Sequence, residues 1–359
     1  MNTTEHIYKC LTQSKHDSRR STSVGIRLTK RCNLLCRHCV CSCDPRHAAA
    51  MDIDNLRRWL GMIATQSNVN QVCFTGGEPF LEYDLLLKGV CIASSLGLVS
   101  VVVTNGYWGR SRQNAERALH PLAVNGLGHL SLSYDKYHHE QVSTKCIHTA
   151  IEVAHRLNID VCLNVLRDDY ANEATMTEHL AVELQNTALM VSSINASSLI
   201  RCGRAINLEP VLSDFDMKRY GTCGAMGIII QENGIVYACC GPQHPLDSAL
   251  NVGDINTESF EEIYTRALTD PFPLLLQTEG LAELRRIGHI KGVTEAFTPV
   301  KASQRCRECI RLATNKKLLS YIDEIYSDLD KRILLAVKVL VGCGDEVPFT
   351  LLVEKKAAC

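Results

Sequence analysis

Cys32-Asn33-Leu34-Leu35-Cys36-Arg37-His38-Cys39 sets three thiols at C-x3-C-x2-C spacing. Thiolates hold iron-sulfur clusters, and a closed four-iron cluster takes four of them; three leave one iron open to a ligand that is not protein. Upstream, Val24-Gly25-Ile26-Arg27-Leu28-Thr29 alternates apolar with other residues as a first strand, which delivers the thiol loop at its C-terminal end. Downstream a helix is expected, with Asp52 or Asp54 near its start and Ile53, Leu56, Leu60 and Ile63 on one buried face.

Strands and helices then alternate: strands at 71–75, 98–104, 130–133 and 160–166, and helices at 84–96, 112–124, 144–157 and 173–185, with a sixth strand at 189–194. Pro121 is expected to kink the helix at 112–124 or end it early. Such alternation implies an α/β fold of parallel strands with right-handed crossovers, whose ligand sites collect at the C-terminal ends of the strands. Six units suit a partial (β/α)6 TIM-type barrel, open on one side.

After Ala205 the pattern changes. Ser213 and Asp214 read as a helix cap, and 227–237 reads as a hairpin with Asn233-Gly234 as its two-residue turn. A helix from Thr257 or Glu258 to Leu268 stops ahead of Pro271, a less regular segment reaches Cys306, and 317–341 reads as helical. The expected organisation is an unpatterned N-terminal arm over 1–22, the barrel over 23–205, a second module over 206–312, and a terminal helix and tail over 313–359.

The chain has 359 residues, enough for a large core. Its 38 basic and 39 acidic side chains leave a formal charge of −1, which gives no global field toward nucleic acid or an anionic membrane. No stretch of 18 uninterrupted apolar residues or secretory signal is present, so a cytoplasmic location is expected. Eighteen cysteines outside the secretory pathway point to metal ligation rather than disulfides. Cys73, Cys91 and Cys162 lie inside apolar patterns and read as small buried hydrophobes.

Thr75-Gly76-Gly77-Glu78-Pro79 stands at the end of the second strand, where paired glycines let the backbone approach a ligand and a carboxylate accepts from an ammonium. Joined to the cysteine loop, it resembles the radical S-adenosylmethionine superfamily. The resemblance implies that Cys32, Cys36 and Cys39 hold a [4Fe-4S] cluster whose open iron chelates S-adenosylmethionine. It also implies that Gly76, Gly77, Glu78 and Pro79 hold the methionine amino group, and that His38 packs near the adenine. Ribose and carboxylate contacts are implied at the later strand ends, where Asn105, Ser133, Asp135, Asn164 and Arg204 stand; such residues also serve as helix caps or loop anchors. Zinc on His38 and the cysteines is the competing reading, and it leaves Gly76 to Pro79 unexplained. Cys41 and Cys43 read as extra, non-ligating thiols, and Tyr137-His138-His139 as a solvated loop rather than a cavity lining.

Cys223-x10-Gly234-x4-Cys239 followed by Cys306-x2-Cys309 resembles the opening of a SPASM domain. The full pattern has another cysteine where Asn315 stands, so the resemblance is to the shorter Twitch form with one auxiliary [4Fe-4S] cluster; zinc is again the competing tenant, and Cys240 an alternative to Cys239. The family's chemistry implies reductive cleavage of S-adenosyl-L-methionine, by an electron donor such as flavodoxin or ferredoxin, to a 5′-deoxyadenosyl radical that takes a hydrogen atom from a substrate carbon. The expected substrate is a ribosomally made peptide, epimerised, oxidised or cross-linked; 1–22 is too short for a peptide-binding domain, which weakens the peptide reading without excluding a separate recognition protein. Oxidation or rearrangement of a small metabolite such as a sugar or amino acid derivative is the alternative. A non-catalytic iron-sulfur or zinc protein is the reading from another class. Epimerisation requires a free cysteine facing the substrate, for which Cys202 and Cys240 stand out.

Overall fold

The computed structural model describes residues 2–17, 23–47, 50–209, 223, 227–290, 292–293 and 301–327. After helix α1 (Thr3–Asp17), strand and helix alternate as β1 (Ser23–Thr29), α2 (Ile53–Ala64), β2 (Gln71–Gly76), α3 (Tyr83–Ser95), β3 (Val99–Thr104), α4 (Arg112–Val124) and β4 (Leu127–Ser133). The single turn α5 (Lys136–His139) precedes α6 (Thr144–Arg156), β5 (Asp160–Leu166), α7 (Glu173–Leu184) and β6 (Ser193–Ser197). Neighbouring strands from β1 to β6 pair in parallel, each in chain order beside the last. This is the open (β/α)6 arrangement. Val24, Ile26, Val72, Phe74, Val102, Leu130 and Leu132 are buried on the helix-covered face. Strand alternation turns Arg27, Cys73, Thr75, Ser131, Cys162 and Asn164 to the inner face.

The barrel sheet continues past its first strand. β7 (Ile228–Ile230) pairs parallel to β1, and β8 (Ile235–Tyr237) and β9 (Asn251–Asp254) follow antiparallel, so nine strands form one sheet in the order β6-β5-β4-β3-β2-β1-β7-β8-β9. Gly25 lets β7 in, since a Cβ there would meet the Ile229 side chain at 3.3 Å. The chain then forms α8 (Phe260–Thr269), α9 (Pro271–Thr278), α10 (Gly280–Ile290), α11 (Arg305–Ala313) and α12 (Lys316–Ile325). Asn315, at the position that departs from the longer cysteine pattern, caps α12: its Oδ1 accepts from the Leu318 N–H at 3.0 Å.

Several expectations are corrected. The arm over 1–22 contains α1, which lies against β6, α7 and the turn before β6. Its Ile7 and Cys10 are buried, and its Cys10 thiol donates to the Val191 carbonyl at 3.4 Å. The sixth strand begins at Ser193, because Leu189 and Met190 belong to a 3-10 turn. α4 runs through Pro121; the Arg117 carbonyl that lacks a helical donor accepts instead from the Tyr83 hydroxyl at 3.3 Å. The hairpin has a three-residue loop rather than two, since Gln231 N–H bonds Ile235 O and Gly234, at φ +94°, bonds Gln231 O. Pro271 opens α9 rather than an irregular segment, as proline suits a first helical position. Cys91 is exposed. The Ser213-Asp214 cap, the helical reading past residue 327 and the tail lie outside the described residues.

Candidate functional site

The three-cysteine loop leaves the end of β1 and is fastened on every side. Gly76 and Gly77 bring the end of β2 against it: Gly77 N–H donates to Thr29 O at 2.8 Å and Glu78 N–H to Arg31 O at 2.9 Å. A Cβ on Gly77 would stand 2.2 Å from Arg31 O, so this close approach requires glycine. Glu78 is fully buried and points into the protein. Its carboxylate accepts from the Thr104 hydroxyl and the Asn105 N–H, each at 2.8 Å, and from the Phe80 N–H at 3.1 Å. Burial raises its pKa to about 7 against those hydrogen bonds. Pro79 opens the short helix that follows. Asn105 donates through Nδ2 to Asn33 Oδ1 at 3.0 Å, tying β3 to the loop.

The segment Asp135 to Gln141 forms the second wall, and it is not a solvated loop. Asp135 caps α5 and bonds His138 Nδ1 at 2.6 Å, with His38 Nε2 3.5 Å from the same carboxylate oxygen. His38 stacks on Tyr137 with ring centroids 4.8 Å apart. Gln141 accepts from Leu35 N–H at 2.8 Å and donates to Cys36 Sγ at 3.6 Å. Burial lowers the His38 pKa to about 4. For His138 burial acts in the same direction, but hydrogen bonds to Asp135 and Cys36 prevail and raise it to about 10. Cys36, His38 and His138 offer ligand atoms within 4.8 Å of one another.

The turn after β6 supplies the third wall. Arg204 donates through Nε to Cys36 O at 3.0 Å and through Nη1 to Cys43 O at 2.7 Å, and its own N–H bonds Cys39 O. Cys43 donates to Cys39 and lowers that thiol to about 5, whereas burial raises Cys32 to about 12. Thiols held this way fit thiolate ligation: Leu34 N–H and the Gln141 amide already donate toward Cys32 and Cys36 sulfur, and a metal takes the proton's place.

Of the residues expected at the nucleoside and carboxylate, Asn105, Asp135 and Arg204 thus meet the cluster loop. Asn164 donates to Ser131 Oγ at 2.6 Å and accepts from Asn195, forming a polar ladder inside the barrel. Ser133 ends β4 opposite Asn164.

Cys239 stands two residues past the end of β8, and Cys306 and Cys309 share one face of α11. Cys223 N–H bonds Leu276 O at 3.1 Å. The four thiols converge: besides burial, Cys306 and Cys309 raise the Cys239 pKa, and Cys306 and Cys223 raise that of Cys309. Among the described residues no three of them lie within 4.8 Å. Cys240 is solvent-accessible yet closely surrounded; desolvation, with Cys223 and then Cys41 nearby, pushes its thiol up to about 11, and it acts in turn on Cys73 on the inner face of β2. A cavity of about 430 Å³ opens between the two cysteine groups, with Cys41, Cys202, Arg201, His244 and Arg307 among its lining. Sequence reasoning did not single out Gln141 and Arg27; their contacts join residues far apart in the chain, with no local signal.

A family model described as the radical SAM superfamily matches residues 26–167. YydG of Bacillus subtilis (strain 168), named for peptide biosynthesis, is 25% identical over 306 residues, spanning 83% of this chain and 94% of its own length. The PqqA peptide cyclase of Xanthomonas oryzae pv. oryzae (strain MAFF 311018) is 36% identical over 114 residues, 31% of this chain and 28% of the cyclase. The solved structure of native anSMEcpe with bound AdoMet and Cp18Cys peptide aligns with a TM-score of 0.52 at 15% identity, over 88% of this chain and 99% of that one; the likeness is one of fold. No helix among the described residues is long and apolar enough to cross a membrane.

Proposed function

We propose that this chain, which is a radical S-adenosylmethionine enzyme, takes a carbon-bound hydrogen atom from a residue of a ribosomally made peptide. The observation that carries the peptide reading is the similarity to YydG, named for peptide biosynthesis, along nearly its whole length. When bound, the first cluster and S-adenosylmethionine supply a carbon radical strong enough to break an unactivated C–H bond. Cys32, Cys36 and Cys39 hold that cluster. Arg204, Asn105 and the segment 135–141 orient their loop and keep water from it. Gly76 to Pro79, His38, Ser133 and Asn164 are the proposed surroundings of S-adenosylmethionine, with Glu78 acting by fixing the strand ends.

Cys223, Cys239, Cys306 and Cys309 are assigned an auxiliary [4Fe-4S] cluster. One tetrahedral zinc ion gathers four thiolates about 3.8 Å apart, whereas among the described residues no three of these sulfurs lie within 4.8 Å of one another; the wider ligand spacing of a cubane supports the assignment. Iron analysis tests this: about eight irons per natural chain against about four in Cys306→Ala/Cys309→Ala. Four irons and one zinc in the natural protein would reject it.

The position of Cys240 favours epimerisation. An exposed thiol whose charge is felt by Cys73 on the inner face of β2 can return a hydrogen atom to the substrate carbon after the first is taken, and the resulting thiyl needs one electron and one proton to reset. The test is anaerobic turnover of the reduced, reconstituted enzyme with the peptide encoded beside its gene. Stimulated 5′-deoxyadenosine release, a product of unchanged mass and one solvent deuterium in heavy water are expected. In Cys240→Ser, 5′-deoxyadenosine release should persist while the epimer disappears. A product lighter by two hydrogens would replace epimerisation with oxidation or cross-linking, and no stimulation would reject the peptide.

A further inference from the structure

We infer that Arg27 is the anchor for a carboxylate of the substrate, reached through the cavity between the two cysteine groups; this rests on the peptide reading above. Arg27 lies on β1, paired with Thr75 across the sheet, and faces the barrel interior with 2% of its surface exposed. A guanidinium remains charged in any protein environment and carries five N–H donors. Nη2 donates to Cys41 Sγ at 3.1 Å, and Nη1 is buried without a partner. No carboxylate of a described residue forms an ion pair with it; its charge lowers Cys41, Cys43 and Tyr237, and the Glu232 carboxylate that also acts on Cys41 is paired with Lys30 at 3.1 Å. The Tyr237 hydroxyl is engaged with the His244 carbonyl. A thiol sulfur is a weak acceptor, so a buried cation is left with little to balance it, which is unusual because buried charges are paired.

Cys41, whose sulfur accepts from Arg27, is itself one of the residues that line the cavity and so stands between this cation and it. The lining also includes Arg201 and Arg307 and no carboxylate, and burial keeps His244 neutral by lowering it to about 4. A volume of about 430 Å³ holds a few peptide residues. The guanidinium fork matches a planar carboxylate through two parallel hydrogen bonds, which identifies the ligand class as an acidic side chain or a chain-terminal carboxylate.

Three probes separate the outcomes on the full, anaerobically reconstituted chain at fixed ionic strength: N-acetylalanine, carrying a terminal carboxylate; N-acetylglutamate α-amide, carrying a side-chain carboxylate; and neutral N-acetylalaninamide. The thermal midpoint of the natural protein should rise with one or both carboxylates and not with the amide, and the stronger of the two identifies the source. Arg27→Met should lose this response and melt higher than the natural protein without probe, because it removes an uncompensated buried charge; Arg27→Lys should retain part of the response. Equal responses to all three probes overturn the proposal. So does an Arg27→Met protein that melts lower and has a shifted first-cluster potential, which would make Arg27 a counter-charge of the cluster. Basal 5′-deoxyadenosine release by the natural chain, measured separately, reports on the radical reading itself.

Discussion

Glu78 shows how a residue from a recognisable motif acts through the frame. Its carboxylate faces three donors, so Glu78→Gln sets an amide NH2 among groups that also donate, and a cost of about 1–3 kcal/mol is expected in anaerobic chemical denaturation. The pH dependence has a definite sign. The folded pKa, about 7, lies above the ordinary value of 4.5, so folding takes up a proton between them; this residue's contribution is greatest below 4.5 and is lost as pH rises through 7. The melting midpoint of the natural protein should therefore fall across this interval more steeply than that of Glu78→Gln. Arg204→Lys should reduce cluster content, since one ammonium cannot serve both the Cys36 and Cys43 carbonyls; unchanged iron and an unchanged cluster spectrum would refute it. The three-thiol loop and its place at the end of β1 were legible because spacing is local. What Glu78, Asn105 and Arg204 touch was not, because a polar residue at a strand end has the same local sequence whether it binds a cofactor or a loop.

α4 carries a proline three residues before its end without breaking, and Tyr83 accounts for it. The hydroxyl of Tyr83 donates to Arg117 O at 3.3 Å and Ala118 O at 2.9 Å, the first being the carbonyl that Pro121 cannot serve. Tyr83→Phe should cost about 1 kcal/mol in the natural protein and clearly less in a Pro121→Ala background, where the helix supplies its own donor. Additive costs in that double-mutant cycle would show that the hydroxyl and the proline are unrelated. Other elements divide along the same line. β1 to β5 were legible from alternating burial. β6 was misplaced because Leu189 to Val191 is the more apolar run, although Ile194 is the strand's buried anchor. α1 was missed because 1–22 is mostly polar, and among its described side chains the buried ones include Cys10, a residue that reads as neither core nor surface.

At the scale of the molecule, the expected boundary near residue 205 separates two modules that share one sheet. β1 lies between β2 and β7, so the strand that carries the first cysteine loop also borders the second cysteine group. Further ties cross the same seam. Lys30 pairs with Glu232 at 3.1 Å, joining the loop to the hairpin turn, and Arg58 on α2 donates to the Ile255 carbonyl at 3.3 Å. Periodicity could detect the change from βα units to a hairpin, but the pairing of β7 with β1 depends on Gly25 admitting Ile229, a contact between residues about 200 positions apart. Cutting the chain after residue 209 would therefore open β1 as an edge and expose the face that Ile229 covers, conditions that favour aggregation. The 1–209 fragment is expected to be insoluble or to lose its first cluster, whereas the full chain with Cys306→Ala/Cys309→Ala should keep that cluster and its characteristic reduced spectrum. A soluble 1–209 fragment that binds four irons and cleaves S-adenosylmethionine would show that the shared sheet is a packing convenience and that the barrel stands by itself.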